Sequence, residues 1–116
     1  MIVPGNTDNK IKTAEAKGTQ VGWFRLALAA QQGHAAIVKL LLDAGENPNR
    51  YNPQGNHSHS TPLHQAVCGG HKAVVRVLVE RGARLDMKDK IYQGSALDWA
   101  IHCGQQAMEK YLVALH

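Results

Sequence analysis

The side chains best suited to chemistry gather in the stretch RYNPQGNHSHSTPLH, Arg50 to His64, and just beyond it. His57 and His59 alternate, so in an extended segment their imidazoles face the same way, about 6 to 7 Å apart along the strand. Such a pair holds a transition metal when further ligands join it. His64 and Cys68 lie near in sequence, but no Cys-x2-Cys, His-Glu-x-x-His or carboxylate-rich loop completes a recognisable set. A thiol nucleophile would pair Cys68 with His64 or His71, or Cys103 with His102. It would need a base within hydrogen-bond reach and an orienting group or oxyanion donors. Adjacent helical residues such as His102 and Cys103 point in different directions. Asp98, one helical turn before His102, is spaced to pair with it, a contact of roughly tenths of a kcal/mol. No glycine-rich loop that cradles phosphate is present. These residues therefore predict no catalytic group, no cofactor and no bound metal, with a histidine-based metal site around His57 and His59 as the remaining chemical alternative.

The elements that must carry these residues are set by an internal repeat. Three blocks superpose: FRLALAAQQGHAAIVKLLLDAGENPN from Phe24, TPLHQAVCGGHKAVVRVLVERGARLD from Thr61, and SALDWAIHCGQQAMEKYLVALH from Ser95. Their starts lie 37 and then 34 residues apart, and Gly33, Gly70 and Gly104 keep those intervals, so the helical units have constant length and only the connections vary. In the second block Leu63, Ala66 and Val67 recur at helical spacing, and after Gly70 so do Val74, Val75, Leu78 and Val79. Each block thus reads as helix, tight turn, helix. Ala29, Ala66 and Ala100 share one position, where a methyl lets neighbouring helices approach closely. The second helices end at Gly45 and Gly82, where a chain leaving a helix often needs a left-handed conformation. Thr61 is an N-cap ahead of Pro62 in the first turn, and His64 is expected to bond backbone groups at the same helix start.

The segments TPLHQAV, GGHKAVVRVLVERGA and GHAAIVKLLLDAG resemble ankyrin repeats, whose pattern has a T-P-L-H opening, a G-H turn and a paired-leucine second helix followed by G-A. Here those motifs are Thr61, Pro62, Leu63 and His64, and Gly33 with His34 and Gly70 with His71. The first block departs at Phe24, Arg25 and Ala27. The third departs at Ser95, Ala96 and Asp98, with Gln105 in place of the turn histidine. These departures fall on end units, which have one unpaired face and follow different residue rules. The resemblance spans Gly22 to the C-terminus and implies an all-α solenoid of stacked helix-turn-helix units joined by finger-like loops, with repeats over residues 22–58, 59–91 and 92–116. Residues 1–21 are expected to form an arm or capping helix, its helical part at Thr7 to Gly18. One shared apolar layer is expected from Phe24 to Leu112.

The resemblance also implies a function, in which a protein or peptide binds the concave surface made by the first helices and the fingers. The matching ladder is Leu28, Gln65 and Trp99, followed one turn later by Gln31, Cys68 and His102. Trp99 is the leading anchor, since an aromatic side chain buries much area at modest entropy cost; its alternative is packing against the Tyr92 loop. Trp23 reads as packing for the N-terminal cap. From Gly45 to Thr61 there are 16 residue steps and from Gly82 to Ser95 there are 13, so the first finger is the enlarged one. Its Tyr51, Asn52, Gln54, Asn56, His57 and His59 offer an aromatic face, amides and imidazoles suited to recognition, with Tyr92 on the second finger beside them. Self-association into an assembly without an exchangeable ligand is the alternative.

Size and charge narrow the remaining classes. A chain of 116 residues, 44% hydrophobic and 19% charged, predicts one folded domain. Thirteen Lys and Arg against nine Asp and Glu give +4, but the cations are scattered, and no nucleic-acid footprint forms. Cys68 and Cys103 show no disulfide framework, which fits a reducing compartment and gives neither a special role. No run approaches about eighteen apolar residues, and no basic start precedes an apolar stretch. A cytoplasmic protein without membrane partners is expected.

Overall fold

The computed structural model of the chain describes residues 20–115. Six helices follow in order: α1 Gln20–Gln32, α2 Ala35–Asp43, α3 Pro62–Cys68, α4 Lys72–Glu80, α5 Ala96–His102 and α6 Gln106–Leu115. Among the described residues there is no strand. Helix α1 packs on α2 and α3, α3 on α4 and α5, α2 on α4, and α5 on α6. Three hairpins therefore lie side by side, with first helices in one layer and second helices in the other. Helix α1 starts two residues before the boundary expected at residue 22. The expected helix at Thr7 to Gly18 lies outside the described residues.

The hairpins are built alike because their turns are. The N–H groups of His34, His71 and Gln105 donate to the carbonyls of Ala29, Ala66 and Ala100, each at 2.9 Å. The three alanines thus hold equivalent places, and all are buried. Just before each donor, Gly33, Gly70 and Gly104 sit at φ 80, 74 and 72, a region costly for a residue with a Cβ. The second helices close with a six-to-one bond at their C-terminal ends, from Glu46 N–H to the Leu41 carbonyl at 3.1 Å and from Ala83 N–H to the Leu78 carbonyl at 2.9 Å.

Adjacent hairpins share apolar surface and a polar latch. Leu26, Val38, Leu63, Val67, Val74, Val75, Leu78, Met108 and Leu112 are buried together with the alanines. The layer begins at Leu26 rather than Phe24, which is exposed. Across each junction a turn side chain reaches back to the preceding first helix: His71 Nε2 donates to the Gln31 carbonyl at 2.9 Å, and Gln105 Nε2 to the Cys68 carbonyl at 2.9 Å. Glutamine in the third unit therefore makes the bond that histidine makes in the second. Arg81 and Asp43 form an ion pair between α4 and α2.

Candidate functional site

The face formed by the first helices and the fingers is positioned from the starts of α3 and α5. The Thr61 hydroxyl accepts the His64 N–H, and the Thr61 N–H donates to His64 Nδ1 at 3.0 Å. Since a backbone N–H can only donate, Nδ1 is the acceptor and the proton resides on Nε2, which donates to the Gly94 carbonyl at 3.0 Å. His64 is thus a buried strut between the second unit and the loop entering the third. Burial pushes its pKa below the ordinary value, outweighing the Gly94 bond and the nearby Asp89 charge. At α5, Ser95 and Asp98 form the same kind of reciprocal cap, with the Ser95 N–H on Asp98 Oδ2 at 2.9 Å. The expected pairing of Asp98 with His102 gives way to this cap, because Asp98 occupies the third helical position, within reach of the free N–H at Ser95.

The enlarged first finger is a closed loop with a buried neck. Asn52 N–H donates to the Ser60 carbonyl at 2.8 Å, and turns at Pro53–Asn56 and His57–Ser60 fold the segment between them. Ser60 Oγ donates to the His57 carbonyl at 3.0 Å and accepts from Gln65 Nε2 at 3.0 Å. Asn52, expected to face a partner, is instead buried in this neck beside Ser60. Gln54 and His57 are exposed at the tip, while Asn56 and His59 are half-buried. The Asn56 carbonyl accepts from Gln31 Nε2 at 3.3 Å. His57 and His59 do not lie in an extended segment, since His57 has φ 64, although their ring centres are 6.2 Å apart. Among the described residues no three His, Cys, Asp or Glu side chains converge to hold a metal ion, and His64, the nearest further imidazole in sequence, is bonded at both ring nitrogens.

The two fingers are bound to each other and to the helices. Tyr51 donates its hydroxyl to the Lys88 carbonyl at 2.7 Å, with the Lys90 ammonium 4.4 Å from its ring centre. Trp23 holds the first finger: its indole N–H donates to the Tyr51 carbonyl at 2.7 Å, and the Arg50 guanidinium lies over its ring; the N-terminal cap it was expected to pack against lies outside the described residues. Lys90 N–H donates to the His59 carbonyl at 2.7 Å. In the second finger, Asp89 is buried and accepts from the N–H groups of Ile91 at 2.9 Å, Tyr92 at 2.5 Å and Gly94 at 2.8 Å. Burial opposes ionisation of Asp89, yet Trp99 and these three amides together hold it well below the usual carboxylate range. Trp99 is half-buried against His64 and His59, and its indole N–H reaches Asp89 in the Tyr92 loop, the loop considered as its packing partner. Asp89 was not singled out from sequence; its place three residues before Tyr92 in a turn-rich loop was the available signal.

What the ladder leaves open is therefore selective. Leu28, His102 and Tyr92 are exposed, while Gln31 and Gln65 are half-buried. Cys68 and Cys103 are bonded to each other, with their Cα atoms 5.4 Å apart. This corrects the reading of two cysteines without a role and removes its support for a reducing compartment. The bond ties the C-terminal ends of α3 and α5, which the stacking brings together although 35 residues separate the cysteines. None of the described helices is long and apolar enough to cross a membrane.

Comparison with known proteins gives a consistent pattern. Residues 6–89 and 26–116 match the family model described as "Ankyrin repeats (3 copies)". Over 87 residues the chain is 36% identical to the "Potassium channel GORK" of Arabidopsis thaliana, a match covering 75% of this chain and 10% of the channel. It is 35% identical over 85 residues to "Ankyrin repeat and SAM domain-containing protein 6" of Mus musculus, covering 73% of this chain and 9% of that protein. It is 34% identical over 119 residues to "Ankyrin repeat and SOCS box protein 3" of Bos taurus, covering 77% of this chain and 22% of that protein. The chain thus spans a small part of the length of these relatives.

Proposed function

The chain belongs to the ankyrin-repeat family, and from that membership we propose that it binds a protein or peptide across the face formed by α1, α3, α5 and the two fingers. Family membership sets it among protein-binding modules rather than catalysts. The relatives, named for a channel, a SAM domain and a SOCS box, carry the repeat alongside unlike parts, which supports an adaptor reading.

The observation that carries the proposal is the division of labour on that face. Tyr51, Asn52, Gln65 and Trp99 are engaged in internal bonds that join the two fingers, close the first one and fix both to the helices. Leu28, Gln54, His57, Tyr92 and His102 are left exposed on the frame so fixed. A frame already ordered loses little entropy when a partner docks. Leu28 and Tyr92 supply apolar area, Gln54, His57 and His102 supply polar contacts, and Gln31, Asn56 and His59 border them. His57 and Gln93, both non-glycine residues at positive φ, mark the finger tips as backbone whose strain is tolerated by the surrounding bonds.

Leu28→Glu and Tyr92→Ala alter exposed side chains and leave the frame intact. Captured from source-cell lysate beside a Lys39→Ala control on α2, the same partner should be lost with the first two and kept with the third. Equal recovery with all three variants contradicts this choice of surface.

A further inference from the structure

The charges of the two fingers, residues 44–61 and 81–95, are sorted by sign. Their carboxylates are Glu46, Asp86 and Asp89. Glu46 and Asp89 are buried, and Asp86 is paired with Arg84 at 3.0 Å. Arg81 is likewise paired with Asp43 on α2. The outward charge that is left is positive. Lys88 and Lys90 are exposed and form no ion pair among the described residues, and Arg50 is half-buried. The helices of the same face add one carboxylate, Asp98, which is held in the Ser95 cap.

These three cations are placed by one tyrosine. Tyr51 gives its hydroxyl to the Lys88 carbonyl at 2.7 Å, and its ring centre lies 4.4 Å from the Lys90 ammonium. The Tyr51 carbonyl accepts from Trp23, whose ring centre lies 3.6 Å from the Arg50 guanidinium. A cation over an aromatic face keeps its charge while the ring attracts it, so Arg50 and Lys90 are held in place and lose less freedom when an anion arrives. An apolar step follows directly. Ile91 and Tyr92 are 61% and 77% exposed, and both their N–H groups are bonded to Asp89, which fixes the backbone that carries them.

We propose that the partner of this face is an acidic protein segment with a large apolar side chain among its carboxylates. Its carboxylates meet Arg50, Lys88 and Lys90, and its apolar side chain covers Ile91 and Tyr92. The proposal rests on the docking face proposed above and names the chemistry of what docks there. The cations speed encounter and reject basic segments. The apolar step selects a peptide over a nucleic acid, whose phosphate backbone has no side chain to lay on Ile91 and Tyr92.

Fluorescence anisotropy with a labelled Glu-rich peptide carrying one Leu tests this, beside a counterpart with Gln in place of Glu. The unaltered chain should bind the acidic peptide more tightly than the counterpart. Lys88→Gln and Lys90→Gln keep much of the apolar stem and lose the charge, and each should weaken the acidic peptide about twofold to fivefold. Lys39→Gln on α2 and Lys110→Gln on α6 remove the same charge elsewhere and should leave binding unchanged. Tyr92→Ala should weaken this peptide but not one with Gly in place of its Leu. Absence of binding, or equal affinity for the acidic peptide and its counterpart, overturns the proposal. So does an equal loss with all four lysine variants, since net charge alone would then be responsible. Tighter binding of an oligouridylate or of phosphatidylserine vesicles, lost with Lys88→Gln and Lys90→Gln, also overturns it by assigning the cations to phosphate. In the lysate capture, a partner lost with Leu28→Glu but kept by the doubly substituted Lys88→Gln, Lys90→Gln chain overturns the acidic class and leaves the docking face standing. A partner kept by both overturns the face itself.

Discussion

The indole N–H of Trp99 donates to Asp89 Oδ2 at 2.9 Å, binding the second finger to the first helix of the third unit. The acid faces inward and is met by four N–H donors, so its charge is matched where water is excluded. Trp99 in turn packs its ring on His64, which is bonded to Gly94 beside the same acid. Two repeats and one finger therefore converge on a single buried carboxylate.

Asp89→Ala should cost about 2 to 4 kcal/mol, because it strands buried donors rather than exchanging one contact for another. The loss should appear in urea unfolding together with a red-shifted Trp99 emission, and Asp89→Asn, which keeps one acceptor oxygen, should fall between. The unaltered protein should also weaken in acid. Asp89 is depressed in the folded state, so its contribution is complete above the unfolded pKa near 3.9 and fades as pH falls below it.

His64 places a second pH dependence at milder acidity. Its folded pKa is lowered from 6.5 by burial, so below that value the unfolded chain binds a proton that the folded chain resists. Stability is then complete above about 6.5 and falls as pH drops toward the folded value. Urea midpoints taken from pH 8 to pH 5 should decline, and His64→Ala should be less stable at pH 8 with a shallower decline. Equal slopes for both proteins would remove His64 as the cause.

Reduction of the Cys68–Cys103 bond should lower stability by about 3 to 4 kcal/mol, on the loop-entropy view of a cross-link between residues 35 apart. Cys103→Ser should show the same urea midpoint as the reduced protein and ignore reductant. A midpoint unaffected by reduction in the unaltered protein would mean that the bond contributes nothing to the second junction.

The repeat was legible because it is written in local, periodic rules. Glycine at positive φ in each turn, alanine where helices approach, and Thr61 through His64 at a helix start each follow from neighbours in sequence. The site was less legible because its contacts are long-range. Asn52 is polar and lies in a loop, yet Ser60 closes the loop over it. Cys68 and Cys103 are 35 residues apart, which is not the 34 that separates equivalent positions, so register alone does not pair them. Trp99 reads as an exposed aromatic until Asp89, ten residues earlier, supplies its acceptor. Asp98 could have been recognised as a cap from its spacing to Ser95, a purely local signal that its proximity to His102 obscured.

Leu78 is buried in the second helix of the middle unit, within the apolar layer common to all three hairpins. Urea unfolding of Leu78→Ala, followed with amide hydrogen exchange, tests that layer most directly. If the hairpins share it, stability falls by about 2 to 5 kcal/mol and amides on both sides of α4, in α2 and in α6, lose protection together. An unchanged transition, or a loss of protection confined to α4, would contradict a stack held together by its junctions.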